Sequence, residues 1–241
     1  MLAGIAHVAV HSMKDVPAQM PDGFALPVVG YRADPRDALV CSMADTIAQL
    51  PTGARVGSSS LRRQSQLLAQ RPDLVLHPVR GNVGTRLKLL DTGVVDALLL
   101  ATAGLERLGL QKRIAARIPI PDSVPAVGQG ALGVECVAGD HRVLDLLAPL
   151  NSAHDRRCVT AERALSGALG ASCTTPLGGY ATVAADGRGL ELQAVLGAPD
   201  GSRLLRAQDV GEDPEQLGAQ VAQSLLDQGA GAILEQLQAL Q

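Results

Sequence analysis

A strand–turn–helix unit occurs three times in succession between Ala54 and Leu110, and this repetition constrains the fold more than any other feature. "ARVG" is followed by "SSSLRRQSQLLAQ", "LVLHPV" by "RGNVGTRLKLLDTG", and "VDALLLA" by "TAGLERLGL". Strands alternating with short helices imply a parallel sheet with right-handed crossovers. Ser58 to Ser60 and Asn82 stand where helix N-caps are needed, and Gly93 and Gly109 where helices stop. Upstream, "IAHVAV" (5–10) predicts a buried strand running into the polar turn "HSMKDVP". The Pro/Gly-rich "PDSVPAVGQG" (121–130) predicts a crossing back to another domain, and "ALGVECV" a further strand. After Asn151 the pattern changes. A helix over 153–168 leads into the loop "GASCTTPLGG" (170–179). Then "YATVAAD", "LELQAVLGAPDG" and "SRLLRAQDV" predict an antiparallel sheet with Asp-Gly turns, covered by a helical region over about 213–238. The C-terminal third reads as a small α+β domain.

Composition narrows the function. The 241 residues are 46% hydrophobic and 19% charged, which describes a globular chain. The aromatics are Phe24, Tyr31 and Tyr180, with no Trp, and the net charge is −3. Both facts argue against nucleic-acid binding, which needs stacking platforms and a basic surface. The N-terminus has no basic leader, and its apolar run is too short to span a membrane. Cys41, Cys136, Cys158 and Cys173 show no C-x-x-C spacing, and the five histidines are too dispersed to suggest a metal site. Reduced thiols and a cytoplasmic location are the expectation.

Charge is uneven along the chain. Between Arg55 and Arg113 ten Lys/Arg face four acids, a local +6 in an acidic protein. Arg62 and Arg63 follow the first strand of the repeat, Arg80 and Arg86 the second, and Arg107 the third. Ligands of open parallel sheets bind at the carboxyl ends of strands, where helix N-termini add donors for anions. The arginines therefore read either as a site for a ligand with several carboxylates or as ordinary surface charge. Arg71, Lys112 and Arg113 suit the surface reading better. Ser12, Lys14 and Asp15 also follow a strand. Asp15 is a surface partner of Lys14 or an acid placed for proton transfer or cation stabilisation. "GQGALG" (128–133) matches a dinucleotide fingerprint by letter only, because it does not follow a strand and open a helix. Cys173 sits among small residues rather than in an apolar run. It is either incidental or held out to react.

The segments "AVHSMKDVP", "RADPRDALV", "GSSSLRRQSQL", "VRGNVGTRL", "AGLERLGL", "PAVGQGALGVEC" and the Cys173 loop together resemble the hydroxymethylbilane synthase (porphobilinogen deaminase) family in order and spacing. The resemblance runs from about Ala3 to the C-terminus. It implies a transferase that joins four porphobilinogen molecules head to tail, releasing ammonia, into the linear tetrapyrrole hydroxymethylbilane. It also implies a dipyrromethane cofactor bound by a thioether to Cys173. By resemblance Asp15 is the catalytic acid, contacting pyrrole N–H groups and stabilising an azafulvene-type cation. Asp15, Lys14, Ser12, Ser60, Arg62 and Arg63 are assigned to the cofactor, and Arg80, Arg86, Arg107 and Gln129 to substrate. No metal is implied, and the expected state is a monomer with porphobilinogen as its small-molecule partner, without nucleic acid or membrane.

The fold implied is α/β, with three small domains. The first two are like periplasmic binding proteins around a cleft: a discontinuous domain 1 (1–30 and 129–150) and the Arg-rich domain 2 (31–128). Domain 3 (151–241) is the α+β domain with the cofactor loop. Two departures stand out. Ala171-Ser172 replaces the usual Gly-Gly before the cysteine, and the family's pattern begins several tens of residues earlier. The alternatives are a non-catalytic carboxylate-binding module and an inactive fragment of the synthase.

Overall fold

The computed structural model describes residues 1–172, 174–185 and 187–239. Its strands form three sheets. The first has the order β1-β8-β2, with β1 Val8–Ser12, β8 Leu132–Val137 and β2 Phe24–Gly30 all antiparallel. The second has five strands in the order β5-β4-β6-β3-β7: Val75–His77, Arg55–Gly57, Ala97–Ala101, Asp37–Val40 and Ala116–Arg117. The third is an antiparallel meander, β9 Leu177–Val183, β10 Leu190–Gly197 and β11 Leu204–Gly211.

The repeat behaves as its pattern requires. Strand β4 pairs in parallel with β5 and β6. The helices α1 Leu61–Gln70, α2 Val83–Asp91 and α3 Thr102–Arg107 follow β4, β5 and β6. Asn82 caps α2 by accepting from Thr85 N. Ser60 stands at the N-cap of α1 without making that bond. The sheet is mixed rather than wholly parallel, because β3 enters between β6 and β7 antiparallel to both. Apolar cores cover both its faces, one around Leu39, Val56 and Leu99, the other around Val40, Leu98 and Leu105.

The expected buried strand at 5–10 is corrected. Pairing starts at Val8, Ile5 is 91% exposed, and β1 is an edge strand with Val10 64% exposed. An apolar run on an edge reads the same in sequence as one in a core.

Helix α5 (Ala153–Ala168) follows α4 (His141–Leu147), covers the third sheet and also reaches the first. Its Cys158, Ala161 and Leu165 enter the third core, while Val159 packs with Met13, Val29 and Ala131. Arg156 donates to the carbonyls of Leu26 and Pro27, and Arg163 to those of Val16 and Ala18. The predicted C-terminal helical region is two helices, α6 Pro214–Asp227 and α7 Ala230–Ala239, broken at Gly229 with φ 95°. Among the described residues no helix is long and apolar enough to cross a membrane.

Helices α5 and α6 touch backbone to backbone at Gly218. A Cβ there would lie 2.5 Å from both Ala161 O and Ala164 Cβ, so any side chain must force the helices apart. Gly218→Ala should lower the unfolding free energy by about 1–3 kcal/mol in urea titration. Gly231→Ala in α7, where nothing lies within 4 Å, should not.

Candidate active site

A cavity of about 670 Å³ opens where the three sheets meet, in the size range of small-ligand sites. The first sheet contributes the turn Met13–Asp15, a single 3-10 turn leaving β1. Met13 is buried and its N–H donates to Ala131 O, which pins the turn and leaves Lys14 and Asp15 facing solvent. Close approach makes this possible: a Cβ on Gly128 would stand 2.8 Å from Met13 Cβ, and Gly128 has φ 72°. Asp15 is the only acid among the described lining residues.

The second sheet contributes the start of α1. Ser59 Oγ donates to Val79 O (2.7 Å) and accepts from Val79 N (2.9 Å), tying the β4–α1 turn to the chain after β5. Arg62 and Arg63 follow within the first helical turn, and both are buried side chains on the cavity wall. Asp37, at the start of β3, lies wholly buried behind them. Its Oδ1 accepts from Arg62 (3.1 Å), from Arg63 Nε (2.9 Å) and from Gln129 (2.9 Å). Its Oδ2 accepts from Arg62 and from Ser123, both at 2.8 Å. Burial by itself would raise the Asp37 pKa, but the two guanidiniums hold it far below the usual carboxylate range. Arg62 also donates to Val124 O, and Arg63 to Leu99 O.

Other cations on the wall are freer. Among the described residues Arg86 spends only its Nε, on Gly81 O at 2.9 Å. Desolvation against the cleft wall lowers the pKa of Lys14, helped by the charges of Arg63 and Arg62 and opposed by Asp15 and Asp37. Arg163 and Ser166 of α5 form the third wall, with Ala171, Ser172 and Thr175 from the loop beyond it.

Of the residues expected from sequence, Lys14, Asp15, Ser60, Arg62, Arg63, Arg86 and Gln129 line this cavity. Gln129 is buried, and its amide is already committed to Pro35 O and Asp37. Ser12, Arg80 and Arg107 are not brought to the cavity: Ser12 is held in β1 opposite Leu132, Arg80 is exposed, and Arg107 donates to Gly130 O. Cys173 lies outside the described residues, although its neighbours Ser172 and Thr175 are on the wall. Sequence reasoning missed Asp37 and Arg163. Asp37 sits within the quoted segment "RADPRDALV", but nothing local marks it as buried. Arg163 follows helical spacing and reads as a solvated face. Among the described residues no group of three His, Cys, Asp or Glu could hold a metal ion.

The donor set suits an organic polyanion, and comparison with known proteins gives it a context. The family model for "porphobilinogen deaminase, dipyromethane cofactor binding domain" matches residues 1–145, and that for "porphobilinogen deaminase, C-terminal domain" matches 156–227. A porphobilinogen deaminase of Thiobacillus denitrificans is 52% identical over 241 residues, covering 99% of this chain and 78% of the relative. Among solved structures, a TRAP periplasmic solute binding protein from Desulfovibrio salexigens aligns at 13% identity and TM-score 0.38. That alignment covers 62% of this chain and 55% of the other. The ectoine binding protein TeaA aligns at 11% and 0.36, covering 98% of this chain and 82% of the other. Those scores are too low to carry an argument. The two family models and the relative are another matter, and they show that the chain belongs to the porphobilinogen deaminase family.

Proposed function

We propose that the cavity between the Met13–Asp15 turn, α1 and α5 is where this chain polymerises porphobilinogen into hydroxymethylbilane, the reaction of its family. The observation that carries this is the lining itself. One carboxylate, Asp15, faces five cationic side chains, Lys14, Arg62, Arg63, Arg86 and Arg163. Each porphobilinogen brings an acetate and a propionate, and carboxylates are met most strongly by charge-assisted, bidentate guanidinium bonds. The same donors suit the four carboxylates of a dipyrromethane.

Attachment falls to Cys173. Cys136 and Cys158 are buried in cores, and burial pushes the Cys158 thiol up to about 11. Cys41 gives its S–H to Ala44 O and packs beside the second sheet. None of the three lines the cavity, whereas Ser172 and Thr175 do. Bound there, a dipyrromethane would supply the free pyrrole carbon from which the chain grows. These unpaired thiols also suit a reducing, cytoplasmic setting.

The chain's own residues then have distinct tasks. Lys14 and Arg86 meet substrate carboxylates and fix the ring's orientation. Asp15 accepts the pyrrole N–H and stabilises the positive charge that builds as the C–N bond breaks and ammonia leaves. The C–C bond to the preceding pyrrole forms with loss of that carbon's proton, and Asp15 is the acid on the wall placed to take it.

Intact mass should exceed the sequence mass by one dipyrromethane in cells that make porphobilinogen. Cys173→Ser should abolish the increment, and an increment that survives the substitution would move the attachment elsewhere. Asp15→Asn should keep the increment and lose about 10²–10⁴ in turnover.

Lys14 gives a pH signature. Its ammonium loses the proton below the range of a free lysine, so kcat/KM should fall on the alkaline side as the cation is lost. Lys14→Arg should shift that limb upward, and an unshifted limb would remove Lys14 from carboxylate binding.

A further inference from the structure

Arg62 and Arg63 have a carboxylate partner before any ligand arrives. Asp37 is 0% exposed, contacts both guanidiniums, and receives Gln129 and Ser123 as well. A second contact from Arg63, Nη2 to Oδ1 at 2.8 Å, adds to its Nε bond. The four donor residues come from α1 and from the crossing segment 121–130, while Asp37 itself opens β3. The carboxylate therefore fixes the side chains and ties together the segments that present them.

We infer that Asp37 is a positioning residue for the reaction, a resident carboxylate that sets the aim of Arg62 and Arg63 and cancels one of their two charges. The inference rests on the reading of the cavity as the site of anionic pyrroles. Two adjacent buried guanidiniums repel each other, and without a counter-charge they would turn toward water or toward the cavity. Held by Asp37, they present their remaining N–H groups in one geometry, so a ligand carboxylate meets donors already placed. Arg62 shows the anchoring directly: both of its Nη groups bond Asp37, and Nη1 also serves Val124 O. The cations of the wall that no carboxylate anchors in this way are Lys14, Arg86 and Arg163.

The test is chemical rescue. Asp37→Ala leaves a hole of carboxylate size beside two arginines. It should raise KM for porphobilinogen about ten- to a hundredfold with a smaller change in kcat, because carboxylate contacts act in ground and transition states alike. Formate should restore most of the loss in a saturable way, and formamide, of the same size but neutral, should not. Formate should also raise the Tm of Asp37→Ala more than that of the wild type, a readout independent of turnover.

A folded Asp37→Ala with wild-type KM overturns the inference, as does equal rescue, or none, by the two additives. If Asp37→Ala does not fold, Asp37→Asn, which keeps the side chain's volume, should show the same rise in KM, and a wild-type KM there overturns it. Failure of both variants to fold even in formate would leave Asp37 a folding residue only, and the positioning role would fall. Wild-type turnover is measured alongside. Its absence would sink the reading of the cavity, while the formate-dependent Tm still reports on Asp37.

Discussion

A carboxylate with no access to water must be matched by donors within its own protein, and Glu162 of α5 is matched by groups at the first sheet, the third sheet and the crossing segment. Arg32, just past β2, meets both of its oxygens at 2.6 and 3.2 Å. Gly128 N donates from the crossing segment at 2.7 Å, and Ala181 N from β9 at 2.9 Å. Tyr180 lies against the same guanidinium, 4.8 Å from ring centroid to carbon. Removing one member of such a buried pair typically costs about 3–5 kcal/mol, because the partner's charge is stranded. The position of α5 follows from this contact. With α5 go Arg163, Ser166 and the start of the loop that contains Cys173.

Asp37 plays the matching part on the opposite wall. The two buried carboxylates are bridged by one short segment: Gly128 N serves Glu162 and the Gln129 amide serves Asp37. Gly128 and Gly130 adopt φ of 72° and 90°, and a Cβ on Gly130 would stand 2.5 Å from Ala33 O. The stretch that resembled a dinucleotide loop is thus a tight junction between the sheets. Its glycines serve close backbone approach rather than phosphate.

What could be read from sequence was what local pattern determines. Helix α5 spans the expected 153–168 because a Ser152 cap, Oγ accepting from Asp155 N, and helical spacing agree there. The parallel strands β4, β5 and β6 followed from the repeat. Strand β3 did not, because four apolar-leaning residues between Arg36 and Cys41 give no sign of antiparallel insertion. Exposure was also illegible, as the outward Val10 shows. In the site, Lys14, Asp15, Arg62, Arg63 and Arg86 could be found because they follow strand ends. The commitment of Arg62 and Arg63 to Asp37 could not, since it spans about 25 residues and depends on burial. Arg80 and Arg107 obey the same sequence rule as Arg86 but are not among the residues that line the cavity.

The central claim is that anionic pyrroles bind between Asp15 and the freer cations while Arg62 and Arg63 stay anchored to Asp37. A crystal structure of the chain produced in porphobilinogen-making cells tests it most directly. The account predicts pyrrole density running from Cys173 to Asp15, with carboxylates on Lys14 and Arg86 and the Asp37 contacts intact. Density outside this cavity, or Arg62 and Arg63 swung off Asp37 onto the ligand, would contradict it.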